Sequence, residues 1–395
     1  MENLVDTILS QMSTIKKPQK RFIRLLFSVF TVFMGKANFR NLSRYCSLSE
    51  RGFSRWFKKS FPFSEFNQRL IQTIFSGSSE RIAVIDASFL KKSGRATFGL
   101  GLFWNGSEGR AKRGLECSLL AVVDLPSNTA YALEAKQTLP DTNDSRVEQY
   151  LEQVLAQKDT LKQLNITYLA ADSYYSKKRF VLPIVEVGFH LVGALRKDAA
   201  LQWLYEGEYS GKGRPKKFDG KVIFPDALDR CDKIDHPEFI LHSAVVWSNN
   251  LQRKIRILFI ESSEHNRFAL LYSTDVDVDL DPLKLLEIYQ ARFQIEFLFR
   301  DAKQHTGLHD CQARNQEAIY THINAALTSL NLMKLDTQMK ASLSRPTVIS
   351  IASIKRIAYN QHMLQRLFQR LNIDPNDKNI RSISDEFINY GAIAA

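Results

Sequence analysis

The spacing of apolar residues predicts helices over the first 80 positions and strands after them. One of these helices is capped by Ser49 and carries Phe53, Trp56 and Phe57 at helical spacing. After Glu80 the pattern changes to short β-branched runs such as RIAVIDAS, which are typical of strands buried on both faces. We therefore expect an N-terminal helical unit followed by a sheet.

Predicted strands then alternate with helices. Strands are expected over residues 115–125, 130–138, 166–171 and 189–195, with a polar helix over 145–157. This order indicates a mixed α/β sheet. Asp86 is predicted to end the first strand, and Asp172 is predicted to follow the strand at 166–171, so each carboxylate lies at a strand tip.

A long interval of 123 residues separates Asp172 from Glu296. It contains three alternating runs, at residues 239–247, 255–260 and 267–272, which predict an antiparallel β insertion.

Residues 281–303, DPLKLLEIYQARFQIEFLFRDAK, predict one long helix, because Asp281 and Pro282 form a helix start and no later Gly or Pro interrupts the run. Its apolar residues border a stripe that contains charged side chains, whereas surface helices place charges opposite the apolar face.

The stripe consists of Tyr289, Arg292, Glu296 and Lys303, which fall within an arc of roughly 60°. Burying such charges costs several kcal/mol each unless partners are present. Metal ions for Glu296 and phosphates for Arg292 and Lys303 are the natural partners. The alternative is a structural ion pair between Arg292 and Glu296, which leaves Tyr289 and Lys303 unexplained.

The spacing Y-x2-R-x3-E-x6-K resembles the signature helix of DDE transposases from bacterial insertion sequences, in the group called the insertion-sequence-four family. The resemblance implies that Glu296 is a third metal-binding carboxylate beside Asp86 and Asp172. It also implies that Tyr289, Arg292 and Lys303 hold the transposon end. Two divalent cations are expected, and a carboxylate site without nearby His or Cys favours Mg²⁺ or Mn²⁺ over zinc.

The predicted fold class is α/β, with a ribonuclease H-like mixed-sheet catalytic core, an N-terminal helical domain and an antiparallel β insertion. We expect the helical domain at residues 1–80, the core at 81–200 and 281–345, the insertion at 201–280 and a C-terminal helical region at 346–395. A helix over 348–371 could cover the core or pair with a second subunit, as transposase C-termini often do. A homodimer on the DNA ends is expected.

The charge balance favours a polyanionic partner. Lys and Arg number 54 against 42 acids, giving a net charge of +12 and a pI of about 9.4. Arg51, Arg55, Lys58 and Lys59 give the second N-terminal helix a basic face, which suits a helix-turn-helix-like reader of DNA or a solvated helical subdomain. The basic helix after Asp172 adds two more expected DNA contacts, at residues 177 and 178, both lysines.

The four cysteines are far apart in sequence and form no CxxC pair. This pattern predicts a reducing compartment without disulfides or structural zinc. The N-terminus has an acidic residue where a signal peptide would be basic, and the longest apolar run is too short to span a bilayer. We expect a cytoplasmic, nucleoid-associated bacterial protein without membrane contact.

The leading hypothesis is a cut-and-paste transposase that cleaves DNA at transposon terminal inverted repeats and transfers the freed strand into target DNA. One alternative is a metal-dependent nuclease on the same sheet, which would need neither the basic N-terminal region nor the long insertion. Another is a regulator that binds DNA without catalysis, although all three carboxylates are present in this chain.

Overall fold

Five helices precede the sheet in the computed structural model, which describes residues 1–74, 79–140, 145–209, 211, 213–224, 226–262, 267–277, 281–340 and 350–393. These helices are α1 (Glu2–Gln11), α2 (Lys17–Val32), α3 (Phe39–Leu42), α4 (Glu50–Phe57) and α5 (Phe63–Ile74). Ser49 caps α4 by accepting a hydrogen bond from the Gly52 N–H. Phe22 of α2 stacks on Trp56 of α4 with ring centroids 5.2 Å apart, which packs the second helix of the region against the fourth.

The described residues form twelve strands that belong to one sheet. These are β1 (Arg81–Lys91), β2 (Gly101–Asn105), β3 (Arg110–Asp124), β4 (Thr129–Thr138), β5 (Tyr168–Ala170), β6 (His190–Leu195), β7 (Leu201–Leu204), β8 (Phe218–Lys221), β9 (Asp232–Ile234), β10 (Phe239–Ser248), β11 (Arg253–Ser262) and β12 (Arg267–Ser273). At one end the order is β4, β3, β1, β5, β6. The first two pairings are antiparallel and the last two are parallel, so the mixed sheet is compatible with a ribonuclease H-like fold.

The antiparallel strands of the expected insertion continue this same sheet. Strand β12 pairs with β6, opposing Tyr272 to Gly193, and β11, β10, β7 and β8 follow outward. A Cβ atom at Gly193 would lie 3.0 Å from the Tyr272 ring, so glycine permits the close approach at this junction. The strands of the expected insertion therefore extend the core sheet from its β6 edge.

The remaining helices lie between and after the strands. They are α6 (Arg146–Ala156), α7 (Lys158–Gln163), α8 (Lys178–Glu186), α9 (Pro282–Ala291), α10 (Gln294–His305), α11 (Gln316–Lys340), α12 (Ile351–Leu371) and α13 (Lys378–Asn389). The predicted boundary at residue 345 and the last residue of the predicted insertion, residue 280, lie outside the described residues. No helix in the described ranges is both long and apolar enough to cross a membrane.

Helix α11 satisfies the outer edge of β4, a strand that pairs only with β3 in the described sheet. The side-chain amide of Asn331 accepts from the Ala132 N–H at 2.9 Å and donates to the Ala132 carbonyl at 2.7 Å. Asn324, two turns earlier, bonds the N–H and carbonyl of Ala135 in the same way, at 2.9 Å each. Buried side-chain amides thus take the place of a neighbouring strand.

Candidate active site

Asp86 and Asp172 lie at the same level of two neighbouring parallel strands. Val84 of β1 is paired in register with Ala170 of β5, and each aspartate lies two residues further along the chain. Side chains two residues apart along extended backbone point to the same face, and adjacent strands are about 4.8 Å apart. The backbone at Asp172 is still extended, with φ −75° and ψ 178°. The register therefore directs both carboxylates to one face of the sheet.

The prediction that Asp86 ends its strand is wrong. β1 continues to Lys91, because the residues after Asp86 pair with β3 as far as Gly114. Its parallel neighbour β5 stops at Ala170, so Asp86 lies just beyond the end of the parallel pairing. Asp86 is half-buried at this point, where the adjacent strand has ended.

The prediction of one uninterrupted helix over 281–303 is also wrong. The segment forms α9 and α10, with Arg292 and Phe293 between them. At the junction the Arg292 N–H bonds the Tyr289 carbonyl and the Ile295 N–H bonds the Arg292 carbonyl, which is the tighter 3₁₀ pattern. Both junction residues keep right-handed helical angles, so the chain continues in the same sense while its winding changes.

The expectation that Glu296 is buried is wrong as well, because its side chain is 50% exposed. Phe293 and Phe297 beside it are exposed too, so the stripe lies at the border of the apolar face and not in its middle. Arg292 is the buried member and donates to Glu296 across 3.4 Å. The ion pair of the structural alternative is thus present, but the Arg292 Nε has no hydrogen-bond partner among the described residues.

Lys303 at the end of α10 contacts the same strand that carries Asp86. Its ammonium donates to the Ser88 hydroxyl at 2.8 Å, and Ser88 lies two residues after Asp86 on the same face of β1. Burial lowers the pKa of Lys303, and the charges of Cys117 and Asp86 raise it. The helix therefore places its cationic end beside the aspartate.

The electrostatics of Asp86 indicate that the three acids lie near one another. Burial raises the pKa of the Asp86 carboxyl to about 7, and the negative charges of Asp172 and Glu296 also raise it. The Ala87 N–H and the Arg292 charge lower it. Three acids, together with one cation from the stripe, thus share one electrostatic environment.

Tyr289 belongs to that environment. Burial raises the pKa of its phenol, as do the charges of Asp172 and Glu296, while Arg292 lowers it. The Arg292 guanidinium lies 5.4 Å from the centre of the Tyr289 ring. The four members of the predicted stripe, Tyr289, Arg292, Glu296 and Lys303, therefore all approach the aspartates.

The donor set suits a hard divalent cation. Its members are carboxylate oxygens, and mutual repulsion among Asp86, Asp172 and Glu296 is the kind of strain that a bound cation offsets. Among the described residues, however, no three acidic, His or Cys side chains are close enough together to form a ready metal site. The three carboxylates suit the ion chemically. In this structure, however, Glu296 pairs with Arg292.

Among the other predicted DNA-binding residues, Lys177 is half-buried and the rest are exposed. Lys177 and Lys178 precede and begin α8, and the Lys177 ammonium lies 3.8 Å from the centre of the Tyr174 ring. Four further cations, Arg51 and Arg55 of α4 and Lys58 and Lys59 just after it, are exposed. No salt bridge in the described part of the chain links these four cations to the three acids.

Sequence reasoning missed two residues beside the aspartates. Ser88 receives Lys303, and Tyr175 is a buried residue whose pKa is raised by burial and by the charges of Asp86 and Asp172. The Tyr175 hydroxyl has no hydrogen-bond partner among the described residues. A hydroxyl-bearing residue two positions after Asp86 is the only sequence signal that could have suggested Ser88.

A mixed sheet of this order, with carboxylates and cations near one another, is compatible with the class of proteins that cleave phosphodiesters in nucleic acids. The particular family follows from the sequence. Residues 77–332 match the family described as "Transposase DDE domain", which is more than half of the chain. The chain belongs to this family of DDE transposases. Membership implies DNA as the partner and DNA cleavage and transposition as the activity, and such enzymes typically use divalent metal ions.

No curated protein sequence matches the chain. Among solved structures, the NurA nuclease from Sulfolobus solfataricus is similar over 73% of this chain and 92% of that chain, with 7% identity and a TM-score of 0.22. A likeness this weak has no bearing on the assignment.

Proposed function

We propose that the protein is a cut-and-paste transposase of the insertion-sequence-four family, which cleaves DNA at transposon ends and joins the freed strand to target DNA. The observation that carries the proposal is the register of Val84 with Ala170, since it brings Asp86 and Asp172 to one level beside the Y-R-E-K stripe. The aspartates and Glu296 come from three distant parts of the chain, and their charges act on one another.

Asp86, Asp172 and Glu296 would hold two Mg²⁺ or Mn²⁺ ions. Such ions, when bound, activate the attacking oxygen and neutralise the leaving oxygen of the phosphodiester. The chain's own task is positioning. Asp172 is fixed for this because its carboxylate accepts the Tyr174 N–H at 2.8 Å. Asp86 is held by the Ala87 N–H, also at 2.8 Å.

The cations of the stripe would hold the phosphates around the cut. The Arg292 guanidinium is buried beside the Tyr289 ring and bonds only weakly to Glu296, at 3.4 Å, so it would exchange this contact for a phosphate oxygen. Lys303 reaches strand β1 at Ser88, two residues after Asp86. A scissile phosphate between Arg292 and Lys303 would meet the acids there.

The remaining parts of the chain would bind and pair the DNA ends. We assign residues 1–80 to DNA recognition, through Arg51, Arg55, Lys58 and Lys59, and residues 201–280 to an insertion beside the core formed by 81–200 and 281–345. Lys177 and Lys178 would contact the DNA backbone near Asp172. The protein would act among the DNA of a bacterial nucleoid.

The C-terminal region at 346–395 would join two subunits on paired ends. Apolar side chains of α12 and α13 line a cavity of about 210 Å³, and Leu367, Ile383 and Phe387 are at least half exposed there. Exposed apolar surface of this kind is typical of an interface.

The test is strand cleavage with Mg²⁺ on a duplex that carries the element's own terminal repeat. Glu296→Gln should lower the cleavage rate by about a thousandfold or more, while the exposed Glu287→Gln on α9 should not. Cleavage by Glu296→Gln at the wild-type rate would refute the assignment of the third acid.

Two alternatives would give different products. A nuclease without strand transfer would cut the ends and form no joined DNA. A regulator without catalysis would bind the terminal repeat and leave it intact, with the Arg292–Glu296 pair serving only the fold.

A further inference from the structure

A large cavity opens next to Lys303, and its lining includes neither Tyr289 nor Arg292. Its volume is about 1170 Å³, and its walls come from the end of β1 and the turn after it, the β2–β3 hairpin, and the segment after α10. Pockets for single small molecules span roughly 300 to 1000 Å³, so this one suits a segment of a polymer.

The lining is strongly basic. Eight Lys and Arg side chains face two carboxylates, Glu108 and Asp310. Both acids are already engaged, because Glu108 pairs with Lys112 at 2.6 Å and Asp310 accepts the Ala37 N–H at 2.9 Å. Seven of the eight cations form no salt bridge with a described residue. Lys92 and Lys303 bond a backbone carbonyl and a hydroxyl, and the other five are Lys36, Lys91, Arg95, Arg113 and Arg314. Unpaired cations concentrated in a cavity attract a polyanion.

The walls are fixed to one another before any ligand arrives. The Phe98 N–H donates to the Arg314 carbonyl at 2.8 Å, and the Lys92 ammonium donates to the Cys311 carbonyl. These contacts join the turn after β1 to the segment after α10. A preformed site loses less conformational freedom on binding than a flexible one.

The cavity begins next to the candidate active site. Lys303 is part of its lining and also bonds Ser88, which lies two residues after Asp86. Beyond Ser88, the cavity is bordered by Phe89 and Lys91 of β1 and by Lys92 just after it, which lie three to six residues past Asp86. At about 3.3 Å per strand residue the cavity begins roughly 10 Å from Asp86 and extends to roughly 20 Å.

We propose that this cavity binds the target DNA, through its phosphate backbone, during strand transfer. The inference rests on the proposed function, because strand transfer requires a second DNA to reach the acids that have just cut the first. Long lysine and arginine side chains contact phosphates without reading bases, which suits a target of variable sequence. Tyr289 and Arg292 do not line the cavity, so the target would bind on a surface separate from these two residues.

The test separates joining from cutting. The double variant Lys91→Glu/Arg95→Glu and the single variant Arg314→Glu are compared with Lys158→Glu/Lys162→Glu, a matched change at exposed lysines of α7. Each protein receives a precut transposon end with a plasmid as target, and separately an uncut end with flanking DNA. The ratio of joining to cleavage should fall at least about tenfold in the cavity variants, through a higher KM for plasmid, and should stay at the wild-type value in the α7 variant.

A binding measurement supplies the second arm. Affinity for a duplex without terminal repeats is measured by fluorescence anisotropy against salt concentration, in the Glu296→Gln background. The salt slope should fall by about two for Lys91→Glu/Arg95→Glu, one for each lost phosphate contact. Unchanged duplex affinity overturns the proposal, and so does an equal fall of joining and cleavage, which would place the flanking donor DNA in the cavity.

Failure of the proposed function gives a different result. In that case wild-type protein neither cuts nor joins the ends, or Glu296→Gln remains active. The anisotropy measurement still decides whether the cavity holds DNA, because it requires no catalysis.

Discussion

Lys303 and Ser88 connect the signature segment to the strand of the first aspartate, through a hydrogen bond of 2.8 Å between the ammonium and the hydroxyl. The two residues are 215 positions apart in the chain. Because Ser88 lies on the same face of β1 as Asp86, this bond fixes the position of α10 relative to the acids.

Lys303→Ala should lower the single-turnover cleavage rate by about a hundredfold, since it removes a cation beside the reacting phosphate. Ser88→Ala leaves that charge in place and should cost less than about fivefold. The two variants are compared at saturating DNA, with thermal unfolding to verify the fold. Equal losses in both would mean that the lysine acts only by positioning α10.

Mn²⁺ binding should depend on the second aspartate. Asp172→Asn removes one charged oxygen ligand, and we expect the Mn²⁺ affinity measured by electron paramagnetic resonance to fall about tenfold or more. Asp198→Asn, at an acid outside the site, is the control and should bind like the wild type. Wild-type affinity in Asp172→Asn would exclude this carboxylate as a ligand.

Lys355 should make stability depend on pH. It is buried in α12, where its ammonium donates to the Phe30 carbonyl at 3.0 Å, and burial lowers its pKa from 10.5 to about 7. Between pH 7 and 10.5 the unfolded chain binds a proton that the folded chain does not, so this group adds stability as pH rises. Below pH 7 the folded protein bears the full cost of the buried charge.

Lys355→Met should therefore be more stable than the wild type by roughly a few kcal/mol at pH 6, with the difference shrinking toward pH 10. Urea unfolding of both proteins at several pH values measures this. The exposed Lys162→Met should show no such trend. A difference that stays constant across the pH range would contradict the buried charge.

Pairing of ends should depend on the apolar face of α12. Leu367→Glu puts a charge into the cavity between α12 and α13, and should reduce paired-end complexes about tenfold in native gels and light scattering. Binding of a single end should remain. Gln365→Glu introduces the same charge at an exposed polar position of that helix and should pair normally. Normal pairing by Leu367→Glu would place the subunit contact elsewhere.

The local pattern of the chain predicted the elements well where periodicity was strong. The helix capped by Ser49 and the strands of the mixed sheet lie close to the predicted ranges. The extension of β1 beyond Asp86 was missed, because it depends on pairing with residues 114–118, about 30 positions away. The 3₁₀ junction at Arg292 was missed too, because no Gly or Pro marks it.

In the candidate site, too, the features set by local spacing were predicted and those set by tertiary contacts were not. Spacing alone grouped Tyr289, Arg292, Glu296 and Lys303, since neighbours on one helix follow its period. Spacing could not predict the exposure of Glu296, which depends on what packs around α10, nor the contact with Ser88, which depends on the sheet. The family match supports the class of enzyme and leaves each residue's role to experiment.

The amides of Asn324 and Asn331 also set an order of events during synthesis. They lie 189 and 199 residues downstream of the β4 groups that they satisfy. At ribosomal speeds of about 5 to 20 residues per second, roughly 10 to 40 s pass before they emerge. Throughout that interval the outer edge of β4 in the nascent chain lacks these hydrogen-bond partners. A chaperone or a rapid collapse of the N-terminal helices must protect this edge until the last third of the polypeptide has been synthesised.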